Sequence, residues 1–228
     1  MGLVKILTSA WFISLLSLIA LAVAAWLILR TVRMLRVSKV CAMKHHGTGF
    51  IYDYLSIYFP ERCLFKDLPL IDEGSMFVIG KNSQLIKRTA DVAYVGRGGI
   101  LLLTVVPDTG CFDTPKVGNW KHSRLVQGQA VTKTVVNPFD ATNPHPSAIE
   151  NLLSSEELRG KTVTRAVVLT GKGVLYTTVY KELLSPGTLL RFVRSFNMQK
   201  NLSGSEIRQV CRLFASLYPA SDAQSIGK

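Results

Sequence analysis

The first 52 residues contain no aspartate and no glutamate. In that stretch Lys5, Arg30, Arg33, Arg36, Lys39 and Lys44 supply half of the chain's net charge of +12. The rest of the 228 residues is only mildly basic, a weak signal for a partner with a phosphate backbone. Cysteine is sparse too. Cys41, Cys63, Cys111 and Cys211 are scattered, with no C-x-x-C pair and no Cys/His zinc spacing, although His45 and His46 lie near Cys41. Reduced thiols are therefore expected, and a disulfide-stapled scaffold is not. Gly96-Arg97-Gly98-Gly99 and Gly171-Lys172-Gly173 fit neither Walker nor dinucleotide spacing and read as turns. No Ser/His/Asp set is legible: His122 and His145 have no defining spacing, and each reads as a surface or helix-start histidine. No small-molecule substrate is evident.

What the N-terminal region has instead is an uncharged run from Ile6 to Leu29, almost wholly apolar from Trp11 onward. As a helix it would be about 36 Å long, enough to cross a hydrocarbon core with some tilt. Trp11 and Trp26 fall near its ends, where indoles favour the interface. Ala22-Val23-Ala24 resembles a signal-peptide cleavage site, but the apolar run continues through Trp26-Leu27-Ile28-Leu29 into a basic stop-transfer cluster. A retained single-pass anchor is expected, with the lipid bilayer as a partner. Arg30, Arg33, Arg36 and Lys39 follow the run, and Lys5 precedes it. The positive-inside rule therefore places the C-terminal domain on the cytoplasmic side of the cell membrane. The same cluster offers charge to anionic headgroups.

Beyond the anchor, hydrophobic periodicity alternates between strand and helix. His45–Phe59 reads as a helix ended by Pro60, and Cys63–Leu70 as an edge strand because Pro69 cannot donate to a ladder. Ser75–Ile86 reads as a hairpin. Thr89–Val95 and Ile100–Val106 are strands joined through the glycine turn, the second so apolar that burial on both faces is expected. Pro107–Pro115 reads as loop and Trp120–Val136 as a more polar β-ribbon. Asn137-Pro138 and Asn143–Pro146 precede a helix at Ser147–Leu158. Val163–Thr170 is another buried strand. Ser185-Pro186 opens one C-terminal helix. Ser203 and Glu206 form the capping box of another, with Ile207, Val210, Cys211, Phe214 and Leu217 as its apolar face.

Thr89–Gly110, together with Trp120 and Asn137-Pro138, resembles the nuclease-related domain (NERD) family. The resemblance covers about residues 45–170. It implies an α/β, restriction-endonuclease-like mixed sheet flanked by helices, here preceded by one transmembrane helix. The family's first-strand Asp matches Asp91. Its Glu-x-Lys on the next strand falls on Thr104 and Val106. An early helical Glu falls on Phe50, and a Gln after the Asn-Pro falls on Ala141. Such chemistry needs two acidic ligands for Mg²⁺ and a nearby Lys. This chain retains one carboxylate, so Asp91 would be a metal ligand only if a site survives. Thr104 binds a cation weakly, and Val106 cannot donate at all.

The sequence thus divides into an anchor (1–30), a basic juxtamembrane linker (31–44), a NERD-like domain (45–180) and a C-terminal helical extension (181–228). The expected function is a catalytically inactive binding or scaffolding module for nucleic acid or a protein partner, without a cofactor. One alternative is an Mg-dependent nuclease with ligands relocated to Asp108 or Asp113. Another is a purely structural membrane-assembly protein.

Overall fold

The protein is described from a computed structural model covering residues 2–41, 47–70, 89–155, 158, 160–171, 175–177 and 180–218. It comprises two compact units, Met1–Met43 and Lys44–Lys228.

The first unit is one helix, α1 (Gly2–Cys41). Within it Ile13–Ser38 is long and apolar enough to cross a membrane and is not buried inside the protein. Trp11 and Trp26 are exposed. The basic stretch after Leu29 stays helical as far as Cys41. It contains no Gly or Pro to stop the helix, so Arg30 and Arg36 ride on the same helix as the apolar run. Local contacts follow the helical repeat: the Arg30 guanidinium lies 5.2 Å from the Trp26 ring centroid, and Thr31 Oγ1 donates to the Leu27 carbonyl at 2.8 Å.

The second unit is a mixed α/β domain. Its elements are α2 (Thr48–Ser56), β1 (Leu64–Pro69), β2 (Thr89–Gly96), β3 (Gly99–Val106), β4 (Cys111–Asp113), β5 (Trp120–Val126) and β6 (Gln129–Val135). There follow α3 (Pro138–Ala141), α4 (His145–Ser155), β7 (Val163–Leu169), β8 (Leu175–Thr177), β9 (Leu183–Leu184), α5 (Pro186–Asn197) and α6 (Gly204–Ser216). The expected hairpin at Ser75–Ile86 lies outside the described residues.

The larger sheet has the order β1-β2-β3-β7-β9. β1–β2 and β2–β3 are antiparallel; β3–β7 and β7–β9 are parallel. The β2–β3 turn closes on the Gly96/Gly99 pair, so Arg97 and Gly98 are the turn. A Cβ on Gly98 would strike the Phe196 carbonyl, which is why glycine is needed where α5 ends against the turn.

One face of this sheet buries Phe65, Leu68, Ala93, Val95, Ile100 and Leu102 against Ile149 and Leu153 of α4 and Val210 and Phe214 of α6. Leu101 and Leu103 alternate to the opposite face and are equally buried. Burial on both faces is what the continuous apolar run of β3 requires. Helices α2 and α5 also pack on the sheet, α2 against β1 and β2, α5 against β7 and β9.

The smaller sheet, β6-β5-β4-β8, corrects the reading of Pro107–Pro115 as plain loop. Cys111–Asp113 pairs antiparallel with β5 and parallel with β8. Three residues are too few for periodicity to signal a strand; the long-range pairing creates it. Packing also runs across residue 180, the expected start of a separate extension. Leu183 and Leu184 are buried and pair beside β7, and α6 supplies part of the main core.

Candidate functional site

The three positions singled out on the central strands lie past the paired end of β2 and β3. The two strands pair as far as Val92/Leu103, and Asp91 and Thr104 are the next residue on each. Strand residues two apart face the same side, so Val106 follows Thr104 on that side. Asp91 is buried, and Thr104 and Val106 are half-buried.

Asp91 Oδ2 accepts the backbone N–H of Val105 at 2.7 Å. The paired ladder between β2 and β3 ends at Val92/Leu103, and the carboxylate takes an amide beyond that end. A charged acceptor makes this stronger than an ordinary main-chain bond, about 1.5–3 kcal/mol. The same bond lowers the cost of burying the carboxylate.

The Val106 side chain packs against an aromatic cluster of Phe112, Trp120, Phe139 and Tyr180, with Val167, Leu169 and Leu183 beneath. Phe139 and Tyr180 stack with centroids 4.6 Å apart. The Tyr180 hydroxyl donates to the carbonyls of Pro115 and Lys116 at 3.0 and 2.9 Å, and Asn137 Nδ2 donates to it at 3.3 Å. Asn137 also caps α3, its side-chain oxygen accepting the Phe139 N–H at 3.0 Å. The Asn-Pro pair is therefore a helix start as well as a breaker. Arg165, paired with Leu102 in the register, donates to the Phe139 carbonyl at 2.8 Å. Burial holds its guanidinium below the ordinary value, and Asp140 acts the other way.

The remaining candidate positions lie on other elements. Phe50 is buried on α2 and stacks on Tyr54; Ala141 ends α3. Asp108 is exposed in the loop after β3, and Asp113 is exposed on β4, paired with Lys121 in the smaller sheet. Among the described residues there is no cluster of three or more His, Cys, Asp or Glu side chains that could hold a metal ion. The carboxylate that the register does set across from Asp91 is Asp67 of β1, between the pairs Lys66/Val92 and Leu68/Ala90. Its φ is +51° and its side chain is exposed. Phe65 and Leu68, three apart, both enter the same core face, so the alternation slips at Asp67. Sequence periodicity does not reveal that slip.

Two further groupings escape a reading by spacing. His122, expected at the surface or at a helix start, is buried on β5 and stacks on Phe112 with centroids 4.4 Å apart. Its Nε2 donates to the Thr109 carbonyl at 2.8 Å, which makes it a fastener of the loop before β4. A usable signal existed, since His122 lies two residues from Trp120 on one strand and shares its face. His145 does begin a helix, and is buried there. Cys63 and Cys211, far apart in the chain, are in side-chain contact. The hydrogen bond from Cys211, with help from Arg62, draws the Cys63 thiol below its ordinary value, against the opposing effect of burial; Cys211 is pushed up.

An open depression of about 650 Å³ lies elsewhere, bordered by Thr109, Cys111, Ser123, Arg124, Leu125 and Ala130. Its floor belongs to the smaller sheet, and neither Asp91 nor Thr104 lines it. Comparison with protein family models, curated proteins and solved structures finds no match to this chain.

Proposed function

We propose that the chain is a single-pass membrane protein whose cytoplasmic α/β domain is a degenerate NERD-like module that binds or scaffolds and does not cleave. The observation that carries this reading is the set Asp91, Thr104 and Val106 past the end of the β2–β3 ladder. Its one carboxylate holds the Val105 amide, and the neighbouring positions are a hydroxyl and a packed isopropyl group. Phosphodiester cleavage of the family's type needs a second acidic ligand and a cationic side chain there. The order α2, antiparallel β1–β2–β3, α4, parallel β7 supports the restriction-endonuclease-like assignment. The candidate span of α1 and the arginines after it support the anchor and its orientation.

The test is a cleavage assay on the full chain in detergent, with Mg²⁺ or Mn²⁺ and plasmid or single-stranded DNA. No metal-dependent cleavage is expected. Cleavage abolished by Asp91→Asn would overturn the reading in favour of a nuclease with relocated ligands. The feature favouring that second reading is Asp67 opposite Asp91, so Asp67→Asn would then abolish activity as well. Orientation is tested separately. Cys111 is exposed, and its labelling by a membrane-impermeant thiol reagent in intact cells would refute the cytoplasmic placement.

A further inference from the structure

The β5–β6 ribbon is built unlike the rest of the domain. Its base is fixed: Trp120 and His122 are buried and Val135 packs into the aromatic cluster. Toward the tip burial disappears. Every residue from Arg124 to Thr134 is exposed, including Leu125 at 77%, Val131 at 45% and Val126 at 39%. The tip closes through Gln127 and Gly128, at φ +51° and +81°, the two left-handed residues of a type I′ hairpin turn. The ribbon is thus a defined hairpin whose outer half joins neither core cluster and only borders the open depression beside Thr109 and Cys111.

Its charge is one-sided. From Thr114 to Phe139 there is no Asp or Glu, and Lys116, Lys121, Arg124 and Lys133 are all exposed. The register sets Arg124 opposite Val131 and Leu125 opposite Ala130, so apolar and cationic groups share the outer half. A cationic ribbon alone would suit any polyanion. Exposed Leu125, Val126 and Val131 select among them, because aliphatic tips gain nothing from phosphate contacts along a duplex. They do gain from entering the acyl boundary beneath anionic headgroups.

A tether to one bilayer holds the domain, and the ribbon with it, at high effective concentration near anionic headgroups.

We propose that the tip of the β5–β6 ribbon is a second membrane contact, in which Leu125, Val126 and Val131 enter the interface and Arg124, Lys121 and Lys133 bind anionic phospholipid headgroups. This rests on the anchored reading of α1. Docking at two points would orient the domain on the membrane and fix which surface it shows to a partner.

The test reconstitutes the full chain in nanodiscs of phosphatidylcholine, with or without phosphatidylserine, and follows amide hydrogen exchange. Slower exchange at residues 124–131 is expected in the phosphatidylserine discs alone, reversed by high salt. Each cation removed, as in Arg124→Gln or Lys133→Gln, should weaken that contact roughly fivefold. Leu125→Asp with Val126→Asp should abolish it, while unchanged protection of β2 and β3 shows the variant folded. Equal exchange in both discs would overturn the proposal. So would protection that appears only when duplex DNA is added, which would make the ribbon a nucleic-acid surface. A chain that does not enter discs at all would sink the anchored reading and this proposal together. A chain in discs with an unprotected tip sinks this proposal only.

Discussion

The two sheets of the domain face opposite environments. In the larger sheet, β2 and β3 are buried along nearly their whole length, with apolar side chains on both faces. In the smaller one, β6 is exposed from end to end apart from Val135. Both are well-formed antiparallel pairs with unbroken registers over their paired length. The difference teaches that strand pairing and core burial are separate properties here. The buried pair carries Asp91, which accepts the Val105 amide, and Val106, which packs into the aromatic cluster. The exposed pair carries the cations.

The sharpest way to break that comparison is to shorten an apolar side chain in each sheet. Leu102→Ala should lower stability by about 2–5 kcal/mol, because it empties volume between β3 and helices α4 and α6. Leu125→Ala should stay within about 0.5 kcal/mol of the parent. Denaturant unfolding of the full chain in detergent, followed by near-ultraviolet circular dichroism, measures both. Equal losses would mean that the ribbon is packed against something.

A smaller effect is expected at Asp91. Removing the acceptor in Asp91→Ala leaves the Val105 N–H without its carboxylate and should cost about 1–3 kcal/mol. Asp91→Asn keeps an acceptor oxygen and should cost less. The same unfolding experiment ranks them, and an Asn variant as damaged as Ala would show that the negative charge itself is needed.

Glu206 gives a pH-dependent test. Lys161, and then the Ser203 backbone N–H of the capping box, hold its carboxyl down at about 2, from an ordinary 4.5. A depressed acid stabilises the fold above its ordinary value and loses that contribution as pH falls through the folded one. The melting temperature should therefore drop between about pH 4.5 and pH 2 more steeply in the parent than in Glu206→Gln. Parallel curves would mean that the ion pair contributes nothing.

The mildest expected change is at Cys63. Its lowered thiol, though buried, should ionise at lower pH than an ordinary cysteine, read as ultraviolet thiolate absorbance. Cys211→Ala, which removes the partner that lowers it, should move that profile upward. An unmoved profile would assign the shift to Arg62 instead.

Local features of the sequence anticipated much of the fold. The Gly96–Gly99 turn joins two apolar strands, and the hairpin follows because the turn chemistry and the period agree over adjacent residues. The helix expected at His45–Phe59 ends at Ser56, its expected start at His45 lying outside the described residues, and α4 starts at His145, two residues before the expected Ser147. Both boundaries are set by caps and packing, which periodicity resolves poorly. Ser203 and Glu206 form the expected capping box, and Val210 and Phe214 are buried as the apolar spacing of α6 demands.

The candidate site divides the same way. That Thr104 and Val106 share a face follows from the strand period alone. That Asp91 serves the Val105 amide, that Asp67 lies across from it, and that His122 is buried all depend on partners brought in from other strands. The approach of Cys63 to Cys211 spans most of the domain.

By itself the sequence determined the apolar N-terminal helix, the antiparallel β2–β3 pair, the polar ribbon and the capped C-terminal helix. Each is encoded by neighbours within a few residues, where spacing and turn chemistry act directly. Tertiary structure alone decided the parallel placement of β7 and β9, the pairing that makes Cys111–Asp113 a strand, and the use of the Asp91 carboxylate. Those outcomes depend on which distant surfaces bury one another, and no local periodicity carries that information.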